Sequence, residues 1–488
     1  MIPLLCPKRV PGCLKHFAWL LLALCGASGG DLAFGETFIV PAVTLSERYD
    51  SNVFLIPPTN GFKRHDFVSS IFPQLNVIDR GDLVQTNVQI AGVGEKYLDN
   101  SNLDYFGGSG NITLNFNRLV QRYTPNLSLT ISDGAFYSPH TPVFAAPAFG
   151  EEPSAFGRGI QPARVNTFSN SASIAAIYRI DPATTFRMAY SNQIIRFGRS
   201  FVDVGTAGPI DTDSHSVVAG PFFQVNVRDT LGVNASWQKV VFHGGQVAGL
   251  QNGYETYGGN VSWQRIWIPE LRTNAFAGAS VVTAGSGTLS GGTGAASQTT
   301  DNLIVGNGGF TLFWTDIAPG GGVQNPLTGF GGVGGGAGGG GFGGGSGGNT
   351  MGSAAIFATG ARTTALLSYS AGVYPSYFSA GVPLISHVVT ATGNRRLASS
   401  WAMAASTDYA RNDAIGGGSG AGSALSYQAY GGNLSLTYLV TGGMFLSLTG
   451  DYHKFEGQGL ALGGALSGAQ VSVDRFLGMI SLTKVWLP

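Results

Sequence analysis

Polar and apolar residues alternate one for one in segment after segment of this chain. Asn111, Thr113, Asn115 and Asn117 alternate with Ile112, Leu114 and Phe116, and Asn126, Ser128, Thr130 and Ser132 alternate with Leu127, Leu129 and Ile131. Asn234, Ser236 and Gln238 oppose Val233, Ala235 and Trp237. Asn260, Ser262 and Gln264 oppose Val261 and Trp263, and Asn433, Ser435 and Thr437 oppose Leu434, Leu436 and Tyr438. A period of two is that of a strand with one polar and one apolar face, and helical spacing fits none of these segments as well. Such strands fold either as a sandwich, with the apolar faces packed together, or as a membrane barrel, with the apolar faces against lipid.

Link length separates the two. Short, turn-like links fall at Asp79–Asp82, Asp181–Thr184, Val227–Thr230, Ile268–Leu271 and Val440–Gly443. Between them lie longer ones near 50–65, 134–165, 198–214, 243–254, 284–301, 410–425 and 456–472. Membrane barrels have short turns at one rim and long loops at the other, whereas a sandwich has no reason to alternate. Only 11% of the residues are charged, against about 25% in a soluble domain, which suits an outer surface in lipid. The 43% hydrophobic fraction argues against general disorder. After the N-terminus there is no apolar run of about 18 residues, so helical spans are excluded and a closed barrel is left. The expected fold is all-β: a transmembrane antiparallel up-and-down barrel of about 18 strands, with 16 the next count.

Residues 1–27 read as a secretory signal. Lys8, Arg9 and Lys15 precede the apolar stretch Phe17–Leu24, and Gly26, Ala27 and Ser28 offer a cleavage site. The alternative is a lipoprotein signal with Cys25 as the modified residue, but Leu24 stands where a small residue belongs. All three cysteines (Cys6, Cys13, Cys25) fall in this segment, so the exported chain has no disulfide and no thiolate site. Loss of the three bases leaves a formal charge of −3, and no basic footprint for nucleic acid. Residues 28–488 form one barrel domain, with strand one beginning near Phe38 and a glycine-rich insertion at 317–353. By strand parity this insertion lies on the periplasmic side; one strand more or fewer would reverse that. The final segment puts Phe476, Gly478, Ile480, Leu482 and Trp486 on one face. It is similar to the terminal assembly strand of outer-membrane barrels, except that Leu487 and Pro488 follow the aromatic residue.

Near the start, Glu47-Arg-Tyr-Asp-Ser-Asn-Val-Phe54 is followed by Asp66-Phe and by Ile71-Phe-Pro-Gln-Leu75. This opening resembles the outer-membrane β-barrel porins associated with exopolysaccharide and exosortase systems. The resemblance implies an outer-membrane channel of a Gram-negative bacterium, serving export of a surface polysaccharide beside the secretion machinery. It supplies no catalytic residues, and the glycine tract is foreign to it.

Enzymatic motifs fail on context. Gly344-Gly-Ser-Gly-Gly348 matches the nucleophile-elbow pattern without a strand before it or a helix after it, and the tract's G-x-G-x-x-G matches lack a following helix. His65, His140, His215, His243, His387 and His453 show no metal-ligand spacing, so no metal or cofactor is expected. His453 shares a face with Ser447, Thr449 and Asp451, which reads as a polar ladder on a pore wall rather than a hydrolytic site. Alternation assigns Gln85, Asn87, Gln89, Asn115, Asn117, Arg187, Gln193, Asn234, Gln238, Asn260, Gln264, Asp451 and Arg475 to the lumen. Amides dominate, so the expected function is a porin-like channel for neutral or weakly charged solutes, sugars among them. The alternative is a structural or adhesive barrel with a closed lumen and ligand-binding loops. The 134–165 loop, with Pro139, Pro142, Pro147, Pro153 and Pro162, would either fold inward or lie on the surface. Trp263, Trp267 and Trp486 suit an interfacial girdle against outer-membrane lipid.

Overall fold

The computed structural model describes residues 36–54, 64–138, 165–200, 211–243, 253–284, 302–316, 362–375, 383–414, 426–441, 443–458 and 470–486. The signal segment, the glycine tract and most of the 134–165 loop lie outside them. Eighteen strands follow in chain order. The first six are β1 (Glu36–Asp50), β2 (Asp66–Arg80), β3 (Gln85–Tyr97), β4 (Tyr105–Asn115), β5 (Leu127–Ser138) and β6 (Val165–Arg179). Then come β7 (Thr184–Ser200), β8 (Asp211–Gln224), β9 (Asp229–His243), β10 (Gly253–Ile268), β11 (Leu271–Ala284) and β12 (Leu303–Thr315). The last are β13 (Thr363–Pro375), β14 (Pro383–Arg396), β15 (Trp401–Ala414), β16 (Ser426–Thr441), β17 (Met444–Gln458) and β18 (Gln470–Val485).

Each strand pairs antiparallel with its chain neighbours, and β1 also pairs with β18 from Ala42↔Val485 to Asp50↔Leu477. The sheet therefore closes as an 18-stranded up-and-down barrel with no free edge. With strands about 4.8 Å apart and tilted about 40°, the backbone cylinder has a radius of about 18 Å.

Alternation sets the two faces. Ile90, Val261, Leu434, Leu448 and Ile480 are each at least 50% exposed, and the pairing register puts all of them on one side of the sheet. A soluble chain would bury this surface; in a barrel it is the lipid face. Tyr190, Tyr257, Tyr369, Tyr409, Tyr430 and Tyr452 ring the upper margin of this belt on the same outward parity. Tyr178, Phe186, Trp263, Trp314, Trp401 and Tyr438 ring the lower margin. Trp263 and Trp267 meet edge to face at 6.2 Å, their indole N–H groups donating to Asp229 and Thr273. From Tyr430 to Tyr438 the chain climbs eight residues, about 20 Å along the barrel axis, close to the height of an outer-membrane apolar band. The chain is an outer-membrane β-barrel.

Most links at the rim nearest Trp401 and Tyr438 are short: 81–84, 180–183, 225–228, 269–270, 397–400 and 442–443, while 116–126 is longer and holds a helical turn. The opposite rim carries most of the long ones, although 98–104 and 376–382 are only seven residues each. The link from β12 to β13 (316–362) breaks the rule, because it leaves from the short-turn rim, where the parity reading placed the glycine tract. Its two ends are tied there by the Arg362 amide, which donates to the Asp316 carboxylate at 2.8 Å.

One expectation is corrected. The alternation through 111–118 predicts a strand continuing past Asn117, but β4 stops at Asn115 and a short helix, α1 (Asn117–Gln121), follows. The Asn115 side-chain oxygen accepts the Asn117 amide at 3.0 Å, and that local bond turns the chain out of the ladder. The Asn117 oxygen then accepts the Leu129 amide at 2.8 Å. Asn117 is a turn-forming residue at the short-turn rim and not part of the lumen wall.

Candidate functional site: the barrel lumen

The inward positions are mostly hydroxyls, amides and small residues, and they satisfy one another across neighbouring strands. Ser132 bonds Ser173 at 2.7 Å, Ser191 bonds Ser216 at 2.7 Å, Thr437 bonds Ser447 at 2.9 Å and Thr44 bonds Thr483 at 2.9 Å. The last of these crosses the closure seam. Such rungs hold the wall in register while keeping it hydrophilic.

Twelve residues that alternation assigned to the lumen sit at inward positions of the pairing register. Gln85, Asn87 and Gln89 on β3 lie beside Asn115, Thr113 and Asn111 on β4. Asn234 and Gln238 on β9 adjoin Asn260 and Thr256 on β10, with the Asn234 amide donating to Asn260 at 3.2 Å. Gln264 stands between Thr230 and Asn274. Gln193 lies between Ser171 and Ser214, and Arg187 opposite Gly220. Asp451 and Arg475 are inward on β17 and β18. The structure brings the amides together as two patches, one on β3–β4 and one on β9–β10, rather than as a continuous ring.

Arg475 is already committed. Its guanidinium holds the Asp50 carboxylate at 2.5 and 3.1 Å across the seam. Asp50 also accepts the Asn52 amide at 3.0 Å, and the Asn52 side chain donates to the Asp474 carbonyl. Two residues along β1, Arg48 forms a bidentate pair with Glu95, both contacts 2.9 Å, and Tyr97 donates to Glu95 at 2.7 Å. These charges are shut from solvent: the Glu95 and Asp50 side chains are 0% exposed and that of Arg48 is 2%. Val53 and Phe54 turn in from the end of β1 and pack on Val68, Tyr97 and Leu103. Asp66 accepts amides of Phe67, Asp99 and Asn100, tying the start of β2 to the 98–104 link.

The Tyr49-Asp-Ser-Asn-Val-Phe54 signature thus has a physical basis. Asp50 and Asn52 bind β18, while Val53 and Phe54 cover the ions of β1–β3. Sequence reasoning passed over Arg48, Asp50 and Glu95 as a group. The available signal was a set of charges at inward parity toward one end of strands whose middle inward residues are uncharged.

On β7, the Arg187 guanidinium lies 4.1 Å from the Phe222 ring centroid. The ring is seated over Gly232, where a Cβ would come within 2.5 Å of it. Farther round, Asp451 contacts His453, and Gly431 leaves the space that the imidazole occupies. Among the described residues, no group of three His, Cys, Asp or Glu side chains is arranged to hold a metal ion.

No protein-family model matches the chain, and no curated protein matches it in sequence. Solved structures do share its outline. Pseudomonas aeruginosa OccK2 (OpdF) aligns over 93% of this chain and 100% of its own, with a TM-score of 0.40 and 9% identity. P. aeruginosa OpdK, solved with vanillate, covers the same shares at a TM-score of 0.40 and 11% identity. Acinetobacter baumannii OccAB3 covers 92% and 100% at a TM-score of 0.38 and 10% identity. Resemblance at this level transfers no solute and no residue role, and the barrel rests on its own strand pairing.

Proposed function

We propose that the chain is a passive outer-membrane channel for small neutral or weakly charged solutes. The observation that carries this reading is a closed ring of 18 strands whose inner face is lined by hydroxyls and amides. Barrels of this size enclose more space than side chains can fill and leave an aqueous channel. Most of the wall offers uncharged hydrogen-bonding groups along the passage, which suits solutes such as sugars. Gln85, Asn87, Gln89, Gln193, Asn234, Gln238, Asn260 and Gln264 are the side chains proposed to meet them. Arg187 and Asp451 add charges of opposite sign, while Arg475 serves the seam. Passage of an exported polysaccharide, raised by the opening residues, is a special case of the same reading and has no support from the lumen itself.

The test is single-channel conductance of residues 28–488, refolded and inserted in a planar bilayer, with neutral oligosaccharides on either side. Stable conductance interrupted by sugar supports a glycan-passing channel. Conductance untouched by sugar keeps the channel and removes the glycan. A silent bilayer with confirmed insertion replaces the channel by a closed surface barrel whose loops do the binding.

A further inference from the structure

Strand register sorts the lumen charges along the barrel axis. From mid-height to the loop rim the inward ionisable residues are Asp408, Asp451, Glu95, Asp50 and Asp66, with Arg48, Arg475 and His453 among them. Arg48 and Arg475 are consumed by Glu95 and Asp50, so Asp66, Asp408 and Asp451 leave this half negative. At the turn rim the order reverses. Arg179, Arg187, Arg272 and Arg396 hold inward positions within four residues of the turn-rim ends of their strands. Among the described residues, the one acid at an inward strand position there is Glu36, opposite Arg80. The links do not undo this: those at the turn rim carry four acids and four bases, and those at the loop rim, with Arg199, six and five.

We infer that the lumen is a two-zone filter, cation-preferring toward the loops and anion-preferring toward the turns, and that it rectifies ionic current. This rests on the channel reading. Asp408 and Arg187 stand four residues apart in height, about 10 Å, so the zones are distinct at the Debye length of about 10 Å in 0.1 M salt. When the loop side is positive, cations enter through the acidic half and anions through the basic half, and both accumulate where the zones meet. Conductance rises. With the polarity reversed, both ions are drawn away from the junction and conductance falls. Because the zones act in series with opposite preference, net selectivity between cation and anion stays weak even though each zone is selective.

The experiment is the current–voltage curve of residues 28–488 in a planar bilayer at pH 8, in 0.1 M and 1 M potassium chloride. Orientation is fixed by a Ser399→Cys substitution in the 397–400 turn and one-sided addition of a membrane-impermeant thiol reagent, since the exported chain has no other cysteine. The expected current at 0.1 M is about 1.5-fold or more larger with the loop side positive, and the ratio approaches about 1 at 1 M, where the Debye length is about 3 Å. Asp408→Asn with Asp451→Asn moves the 0.1 M ratio toward about 1. Arg187→Gln with Arg272→Gln does the same from the other end, so either pair suffices if the other fails to fold. A symmetric curve at 0.1 M, or rectification of opposite sign, overturns the inference and leaves the channel intact. Absence of any conductance after confirmed insertion overturns the channel reading, and the inference with it.

Discussion

Replacing Arg48 by methionine tests the buried ion pair that joins β1 to β3 beside the seam. The substitution keeps much of the side-chain volume but removes both 2.9 Å contacts to Glu95, whose side chain is 0% exposed. Tyr97 still donates to Glu95, yet one hydroxyl does not replace a bidentate counter-charge. Breaking a buried pair from one side costs about 3–5 kcal/mol, because the remaining charge stays desolvated. At about 1.4 kcal/mol per decade, that is a loss of roughly two to three and a half decades in the folded-to-unfolded ratio. Replacing both partners, Arg48→Met with Glu95→Met, removes the stranded charge and should recover most of the loss. The exposed pair Lys239–Glu255, at 2.9 Å with side chains 46% and 32% exposed, serves as a control, and its rupture should cost under about 1 kcal/mol. The assay is urea titration of the refolded barrel in one lipid, followed by tryptophan fluorescence and by the heat-modifiable shift of the folded band. A single-variant cost below about 1 kcal/mol, or a double variant worse than the Arg48 variant, would refute the reasoning.

Other substitutions probe the remaining features. Leu434→Arg puts a charge at the middle of the lipid belt and should cost about 2–4 kcal/mol in the same titration. Gly220→Ala would bring a Cβ within 1.9 Å of the Val233 carbonyl and should cost about 1–3 kcal/mol, whereas Gly450→Ala meets nothing within 4 Å and should be close to neutral. Asn117→Ala removes the bond to the Leu129 amide and should cost about 1 kcal/mol, with hydrogen exchange at Leu129 accelerated and conductance unchanged. In the exposed 180–183 turn, bonds from the Ala183 and Thr184 amides hold the Asp181 carboxyl below its ordinary range. Its contribution to the turn is therefore present above the usual carboxylate pKa and lost as pH falls through the lowered value. The two amide resonances should titrate there, and Asp181→Asn should abolish that step.

The barrel was legible because its two constraints are written locally. Alternation over residues such as Asn433–Tyr438 states which face is wet, and the spacing of turns states that the strands run up and down. The start of α1 was misread because Asn115 and Asn117 are polar at the expected parity, and alternation cannot tell a lumen amide from one that bonds its own backbone. Arg475 was assigned the correct face, but its partner is Asp50, near the other end of the chain. No period reveals such a pair. The axial sorting of charge was equally hidden, since it needs the height of every strand against its neighbours.

The Asp50–Arg475 contact joins residues separated by 425 positions. Nothing local can form it. Until β18 pairs with β1, Asp50 lacks its counter-charge and the Asn52 amide group lacks the Asp474 carbonyl. Both arrive only with β18, at the last step of closure. The seam is therefore a checkpoint on completeness. An open sheet missing its final strand lacks both the neighbour that seals its edge and the counter-charge for Asp50. Closure is favoured most strongly at the point where an unfinished barrel would otherwise expose an adhesive edge to other chains.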